Sequence, residues 1–203
     1  SQEAKKAGAD GLLLVTPYYN KCSATGLIRH YLSVADSVEL PIIVYNVPSR
    51  TGVSMNAEIY RQLSRHPLIN GVKEASGSTD LVLRTLDACG DELNIWSGND
   101  GQIVPIMALG GKGVISVLAN LCPEVTAELT AACLRGDYET AASMQKHYMA
   151  LIDALFCEVN PIPVKTAMNL MGLGVGPPRM PLCQLDDGKK EQLMSALHQK
   201  NLI

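Results

Sequence analysis

Short apolar runs alternate with amphipathic stretches through the first part of the chain. The run 11–15 is unbroken and apolar, which is typical of a strand covered on both faces. The stretch 25–37 repeats apolar residues at helical spacing and predicts a helix with one buried face. Strands alternating with helices over short connections indicate parallel α/β structure with right-handed crossovers. The predicted strands are 11–15, 41–45, 68–75, 93–97 and 113–117, and the helices after the first four are about 25–37, 56–64, 79–88 and 101–109.

After Leu118 the pattern changes, because only helical periodicity remains. The predicted helices are about 123–134, 137–156, 162–171 and 189–199. We therefore expect two regions. Residues 1–121 would form the strand-containing part, and residues 122–203 would form a final barrel helix and a helical extension.

Polar or small residues stand at the end of every predicted strand. In a (β/α)8 barrel the carboxyl ends of the strands converge on one mouth, where active sites lie, whereas an open sheet would spread them along an edge. This clustering favours a barrel. A closed barrel has eight strands, so the predicted fold is an α/β, (β/α)8 TIM barrel that lacks its first three βα units and carries a C-terminal helical extension.

Composition narrows the function classes. The 203 residues are 47% hydrophobic and 18% charged, which is typical of a globular protein with a sizeable core. The formal net charge of −3 argues against nucleic acid or an anionic membrane as the main partner. No apolar run approaches the roughly 20 residues of a membrane helix, and no signal peptide is recognisable. The six cysteines and four histidines are scattered, which indicates reduced cytoplasmic thiols and no metal site.

Lys73 is the first candidate for chemistry. It lies near the end of the third predicted strand, within Gly71–Gly77, and shares a strand face with Gly71 and Ala75. Two small neighbours would leave room around a long amine. One interpretation is a solvated strand-end lysine; the other is a half-dry amine whose lowered pKa makes it a nucleophile.

Other candidates stay open on spacing alone. Tyr45 ends the second predicted strand and is either a packed aromatic residue or a proton donor. Arg50, in the loop that follows, is either solvated or able to pair with a carboxylate. The pair Tyr18–Tyr19 is compatible with a core, a subunit interface or a proton relay. Gly110–Gly113 comes between a helix and a strand, the wrong place for a phosphate loop.

Several segments together resemble one family. The chain is similar to the dihydrodipicolinate synthases, within the pyruvate-dependent class I aldolases and lyases that include N-acetylneuraminate lyase. The matching segments occur in family order over nearly the whole chain. They are 8–11, 16–20, 45–52, 71–77, 97–98, 109–116 and 160–165.

The resemblance implies roles for residues. Lys73 corresponds to the amine that condenses with pyruvate, and Tyr45 to the proton donor and acceptor beside it. Tyr19 corresponds to a relay tyrosine contributed across a dimer interface. Arg50 corresponds to the group that receives the carboxylate of aspartate semialdehyde. The remaining matches are Gly98 and Ile115, whose backbone lines the pyruvate pocket, and Tyr18, which belongs to an allosteric lysine site in some members.

The resemblance also implies a Schiff-base lyase of lysine (diaminopimelate) biosynthesis that requires no metal or organic cofactor. It further implies a cytoplasmic homotetramer of tight dimers for the intact protein. The alternatives are a sibling lyase acting on a sugar acid, or a catalytically incomplete fragment. Arg50 favours the synthase, because sugar-acid lyases usually lack an arginine there. The absence of the first three βα units predicts poor activity for these 203 residues alone.

Overall fold

A parallel five-stranded sheet dominates the first part of the computed structural model, which describes residues 1–203. Every strand pairs in parallel with the strand that precedes it in the chain. A doubly wound sheet reverses its strand order part-way, whereas this sequential order is that of a barrel wall. The strands are β1 (Leu12–Val15), β2 (Ile42–Asn46), β3 (Ile69–Glu74), β4 (Asn94–Ser97) and β5 (Gly113–Val114).

Five of the ten helices begin at a residue whose side chain accepts an N-cap hydrogen bond. One such residue is Asn56, the first residue of the predicted helix 56–64, whose side-chain oxygen accepts from the backbone N–H of Ile59 at 3.0 Å. Ser23 and Ser78 cap two other helices in the same way. The helices are α1 (Gln2–Lys6), α2 (Ala24–Val38), α3 (Pro48–Thr51), α4 (Ala57–Leu63), α5 (Thr79–Cys89), α6 (Ile103–Ala108), α7 (Pro123–Leu134), α8 (Tyr138–Leu155), α9 (Ile162–Leu170) and α10 (Asp187–His198).

Two local predictions were wrong. The fifth strand was expected over 113–117 but has only two residues, because the Ser116 hydroxyl accepts from the N–H of Ala119 at 2.9 Å and starts a turn. The segment 46–52 was expected to be a loop throughout, yet it contains α3. Pro48 begins this single helical turn and Gly52, with φ of 66°, ends it.

The chain divides into two compact units, Ser1–Ile115 and Ser116–Ile203. In the first unit, one face of the sheet packs against helices, with Val44, Val72 and Ile95 almost fully buried. The second unit is helical and has its own apolar core around Leu151 and Leu193. The sequence also predicted a boundary between residues 121 and 122, which separates the strand-containing part from the final barrel helix and the helical extension. That boundary stays a prediction. None of the helices combines the length and the apolar character that crossing a membrane requires.

The opposite face of the sheet is more open. Leu13 and Val15 on β1 are 46% and 37% exposed, although their neighbours along the strand are partly covered. Alternation along β2 and β3 places Tyr45 and Lys73 away from the buried face. The candidate chemistry therefore lies on the less filled side of the sheet.

Candidate active site

Lys73 and Tyr45 lie side by side at the carboxyl ends of adjacent strands. The pairing of β2 with β3 puts the two residues in register. The Lys73 ammonium then lies 4.3 Å from the centroid of the Tyr45 ring. This distance is that of a cation–π contact, which holds the amine without neutralising it.

Burial and two charges set the protonation of this pair. Burial lowers the pKa of Lys73 from its ordinary value, with a smaller lowering from Arg50, whereas Asp100 acts in the opposite direction. Burial raises the pKa of the Tyr45 phenol, and Arg50 partly offsets that rise. The lysine thus loses its proton more easily than usual, and the tyrosine keeps its proton more firmly.

Arg50 lies in α3, immediately after the end of β2. It is exposed, and it affects the pKa of both Lys73 and Tyr45. Its guanidinium is therefore near enough to act electrostatically on both groups.

The expected open space beside Lys73 is filled on one side, so that expectation needs correction. A Cβ on Gly71 would come within 2.3 Å of Trp96 Cζ3, because the indole ring lies over the glycine. Trp96 pairs in register with Lys73 across β3 and β4. The indole therefore fills the space over Gly71, on the same face of the sheet as Lys73, and a larger side chain at position 71 would collide with the ring.

Gly98 brings backbone close to the lysine stem. Its N–H donates to the carbonyl oxygen of Glu74 at 2.7 Å, and a Cβ there would lie 3.2 Å from Lys73 Cγ. Ile115 comes one strand further on, where its N–H donates to the Ser97 carbonyl at 2.9 Å. Gly98 is thus in direct contact with the site, and Ile115 directly follows β5, two strands away from the Lys73 strand.

The two predicted tyrosines of the first loop point away from this cluster. Tyr18 is 66% exposed, and Tyr19 is 92% exposed with a left-handed φ of 62°. At that exposure Tyr19 does not pack against Tyr45 of its own chain. The structure brings together Lys73, Tyr45 and Gly98, with Arg50 acting on them through its charge.

Residues 1–200 match the Dihydrodipicolinate synthetase family. The chain belongs to this family.

Relatives within the dihydrodipicolinate synthetase family align with the whole length of this chain. The 4-hydroxy-tetrahydrodipicolinate synthase of Thermoanaerobacter sp. (strain X514) is 51% identical over 204 residues, covering 100% of this chain and 69% of that protein. A crystal structure of chloride-inhibited dihydrodipicolinate synthase from Acinetobacter baumannii, complexed with pyruvate, is 41% identical with a TM-score of 0.95; the match covers 98% of this chain and 69% of that one. The enzyme from Cyanidioschyzon merolae with lysine bound is 36% identical with a TM-score of 0.95, covering 99% and 68%. Family membership confirms the predicted TIM-barrel architecture, of which this chain supplies five parallel strands.

Sequence reasoning did not single out three residues that lie around Lys73 in the structure. Trp96 was not singled out, although it is the only tryptophan and lies on a predicted strand. Asp100 and Glu74 were noticed only as members of polar clusters, yet they are 1% and 3% exposed. A carboxylate on the apolar face of a buried strand is itself a signal, because charge is rarely buried without a partner.

Proposed function

We propose that the protein is a Schiff-base lyase that condenses pyruvate with aspartate semialdehyde to 4-hydroxy-tetrahydrodipicolinate, in lysine (diaminopimelate) biosynthesis. The relatives carry the name of this enzyme, and one similar structure is described as complexed with pyruvate. The observation that carries the proposal is the half-buried Lys73 amine, with its lowered pKa, against the Tyr45 ring.

In the first step the neutral Lys73 amine attacks the ketone carbon of pyruvate and forms a carbinolamine. Loss of water from the carbinolamine leaves a protonated imine. The lowered pKa raises the fraction of neutral amine available near neutral pH. Tyr45 keeps its proton at that pH and donates it to the departing hydroxyl, so that water leaves.

The protonated imine then acts as an electron sink. The methyl group of the bound pyruvate loses a proton to give an enamine, and the tyrosinate of Tyr45 is the acceptor in reach. The enamine carbon forms a bond to the aldehyde carbon of aspartate semialdehyde, whose carboxylate Arg50 receives. The aldehyde oxygen takes the electron pair of its double bond and a proton from Tyr45, and becomes the hydroxyl group of the product. The amine of that second substrate displaces Lys73 as the ring closes, which restores the free enzyme.

Borohydride trapping tests the imine directly. The unmodified chain is incubated with pyruvate, reduced and mapped by peptide mass, with Lys73→Met as the matched control. We expect a stable adduct on Lys73 and no adduct on the variant. An unmodified Lys73 after reduction, both in this folded chain and in one extended by three N-terminal βα units, would overturn the imine mechanism.

Aldehyde choice separates the synthase from a sugar-acid lyase. Arg50 supports a substrate with a carboxylate, so aspartate semialdehyde should be consumed in preference to an uncharged polyol aldehyde. Faster condensation with the polyol aldehyde would favour the sibling activity. The chain spans about 69% of the length of the Thermoanaerobacter relative, and poor turnover by residues 1–203 alone stays a prediction.

We place the protein in the cytoplasm, as a homotetramer of tight dimers in its intact form. All six cysteines are free thiols, which suits a reducing compartment. The exposed Tyr18 and Tyr19 side chains suit a dimer interface, where Tyr19 would reach the partner's Tyr45. Tyr18 is our candidate for a lysine-binding site, because a similar structure is described with lysine bound.

A further inference from the structure

Glu74 follows Lys73 directly on β3 and leaves the strand on the opposite face. Its side chain faces the helix layer together with Val72, and the residue is 3% exposed. A carboxylate in such a place is strongly destabilising unless hydrogen bonds replace its lost water. The hydrogen bonds that Glu74 accepts must therefore compensate for the loss of its hydration.

Three donors converge on the Glu74 carboxylate. The Tyr60 hydroxyl donates to Oε2 at 2.6 Å. The Asn46 amide nitrogen donates to Oε1 and Oε2 at 3.2 and 3.1 Å. The N–H of Ser76 donates to Oε1 at 2.7 Å. Burial, followed by the charge of Glu74, raises the pKa of Tyr60 well above its ordinary value, so this phenol remains a donor.

Two of these donors belong to segments that carry the site. Asn46 follows Tyr45, and its amide oxygen accepts from the N–H of Met55 at 3.2 Å, which closes the segment that contains Arg50. The backbone oxygen of Asn46 accepts from Ala75 at 2.9 Å, just past Lys73. Ser76 begins the turn after β3. One carboxylate thus ties together the chain just after Tyr45 and the chain just after Lys73.

We infer that Glu74 is a positioning residue: its carboxylate holds Asn46, Tyr60 and Ser76 together and thereby fixes Lys73 against Tyr45 and the Arg50 segment. The inference rests on the proposed function, in which Lys73 forms the imine and Tyr45 moves the proton. Glu74 touches neither reacting group, because it lies on the other face of the strand.

The chemistry of the cluster requires an acceptor with two equivalent oxygens. A carboxylate accepts from all three donors, whereas a carboxamide has one oxygen and an NH2 group that itself needs an acceptor. Glu74→Gln therefore keeps the shape but breaks the pattern. Tyr60→Phe removes one donor and keeps the ring.

The chain offers a matched control in Tyr31. Tyr31 and Tyr60 are both 0% exposed and lie on α2 and α4. The Tyr31 hydroxyl donates to the backbone oxygen of Leu14 at 3.1 Å, on β1 rather than at Glu74. Tyr31→Phe therefore removes an equally buried hydroxyl that lies outside the Glu74 cluster.

The first readout is the rate at which pyruvate forms the trappable imine on Lys73, measured at saturating pyruvate and corrected for the folded fraction. We expect this rate to fall about tenfold or more in Glu74→Gln and Tyr60→Phe, because small misplacements of reacting groups are costly. Tyr31→Phe should retain the original rate. Should Glu74→Gln fail to fold, Tyr60→Phe carries the test.

The second readout needs no catalysis. Competitive acetylation of Lys73 across a pH series reports when its amine loses the proton. We expect the midpoint to rise by about half a pH unit or more in Glu74→Gln and Tyr60→Phe, since a loosened strand end admits water to the amine. A midpoint and an imine rate that match those of Tyr31→Phe would overturn the positioning role.

The two proposals fail separately. If neither this chain nor one extended by three N-terminal βα units forms a pyruvate adduct, the imine mechanism falls while the acetylation midpoints still decide the role of Glu74. If the adduct forms and all three variants behave alike, the proposed function stands and the inference about Glu74 is wrong.

Discussion

At the scale of single residues, the half-buried ammonium group of Lys73 lowers the stability of the folded protein. Burial disfavours its charged form, and the opposing charge of Asp100 does not fully compensate, so the pKa of Lys73 is lowered in the folded protein. The unfolded chain consequently binds the proton more tightly than the folded one. Folding stability must therefore increase as the pH rises from the lowered pKa towards the ordinary value of 10.5.

Lys73→Met should be more stable than the unmodified chain at pH 7. The difference should shrink as the pH approaches 10.5, because the unmodified chain then no longer has a buried ammonium. Urea unfolding at a series of pH values measures this. The exposed Lys112 supplies the control, and Lys112→Met should change stability by at most about 0.5 kcal/mol at each pH. A pH-independent gap would contradict the account.

Two charges act on Lys73 with opposite signs, and each is testable. Asp100→Asn should move the midpoint of the pH dependence of imine formation to lower pH, since Asp100 raises the pKa of Lys73. Arg50→Gln should move the midpoint to higher pH, since Arg50 lowers it. The exposed Asp87→Asn on α5 should leave the midpoint in place, because water and salt screen that charge. Shifts of the same sign in the first two variants would refute the assignment.

At the scale of elements, the close approach of β3 and β4 fixes the shape of the site. The Trp96 ring occupies the place of a side chain at Gly71 and borders Gly113, where a Cβ would lie 3.4 Å from Trp96 Cδ1. One indole thus spans the inner face of three successive strands. Because the chain has a single tryptophan, its fluorescence reports on this face directly.

Gly71→Ala should destabilise the first unit by about 1–3 kcal/mol, because the new methyl group would lie 2.3 Å from the ring. Urea unfolding followed by Trp96 fluorescence measures both the stability and the displacement of the ring. Gly188→Ala on α10 is the matched control, since its nearest contact is an ordinary 3.7 Å to Asp186 Oδ1. That control should be neutral or slightly stabilising. Equal stability in both variants would mean that the ring moves aside freely.

Local signals in the sequence predicted the helices and strands. The sequence could not show which side chains would meet across neighbouring strands. Asn56 marked the start of α4, because an N-cap depends only on the residues beside it. The placement of Trp96 over Gly71 depends on the register of β3 and β4, which no local pattern states. The same holds for Glu74, whose donors Asn46 and Tyr60 come from 28 and 14 residues away. Lys73 itself was predicted from its neighbours and the family resemblance, and its role stays a proposal.

At the scale of the whole molecule, the exposed tyrosines of the first loop are where the proposed assembly is tested. Adjacent tyrosines that are 66% and 92% exposed leave apolar rings in water, and burial against another subunit would relieve this. Tyr19 also holds a left-handed backbone conformation, with its oxygen accepting from the N–H of Lys21 at 3.0 Å. The loop is therefore an ordered projection whose shape is set within its own chain.

Tyr18→Asp combined with Tyr19→Asp should weaken self-association, because two carboxylates would then face desolvation at the interface. Sedimentation velocity over a concentration series measures the effect. Leu134→Gln, at an exposed apolar position on α7, is the control and should sediment like the unmodified chain. A monomer in every case would remove the support for an interface at this loop.

Each strand of the sheet hydrogen-bonds to the strand made just before it during synthesis. When β3 leaves the ribosome, the edge of β2 is already present, and β4 and β5 meet the same situation in turn. Domains fold as the chain emerges, and contacts between nearby segments form fastest. The sheet can thus grow by one βα unit at a time, and Lys73 can pair with Tyr45 before Trp96 has left the ribosome.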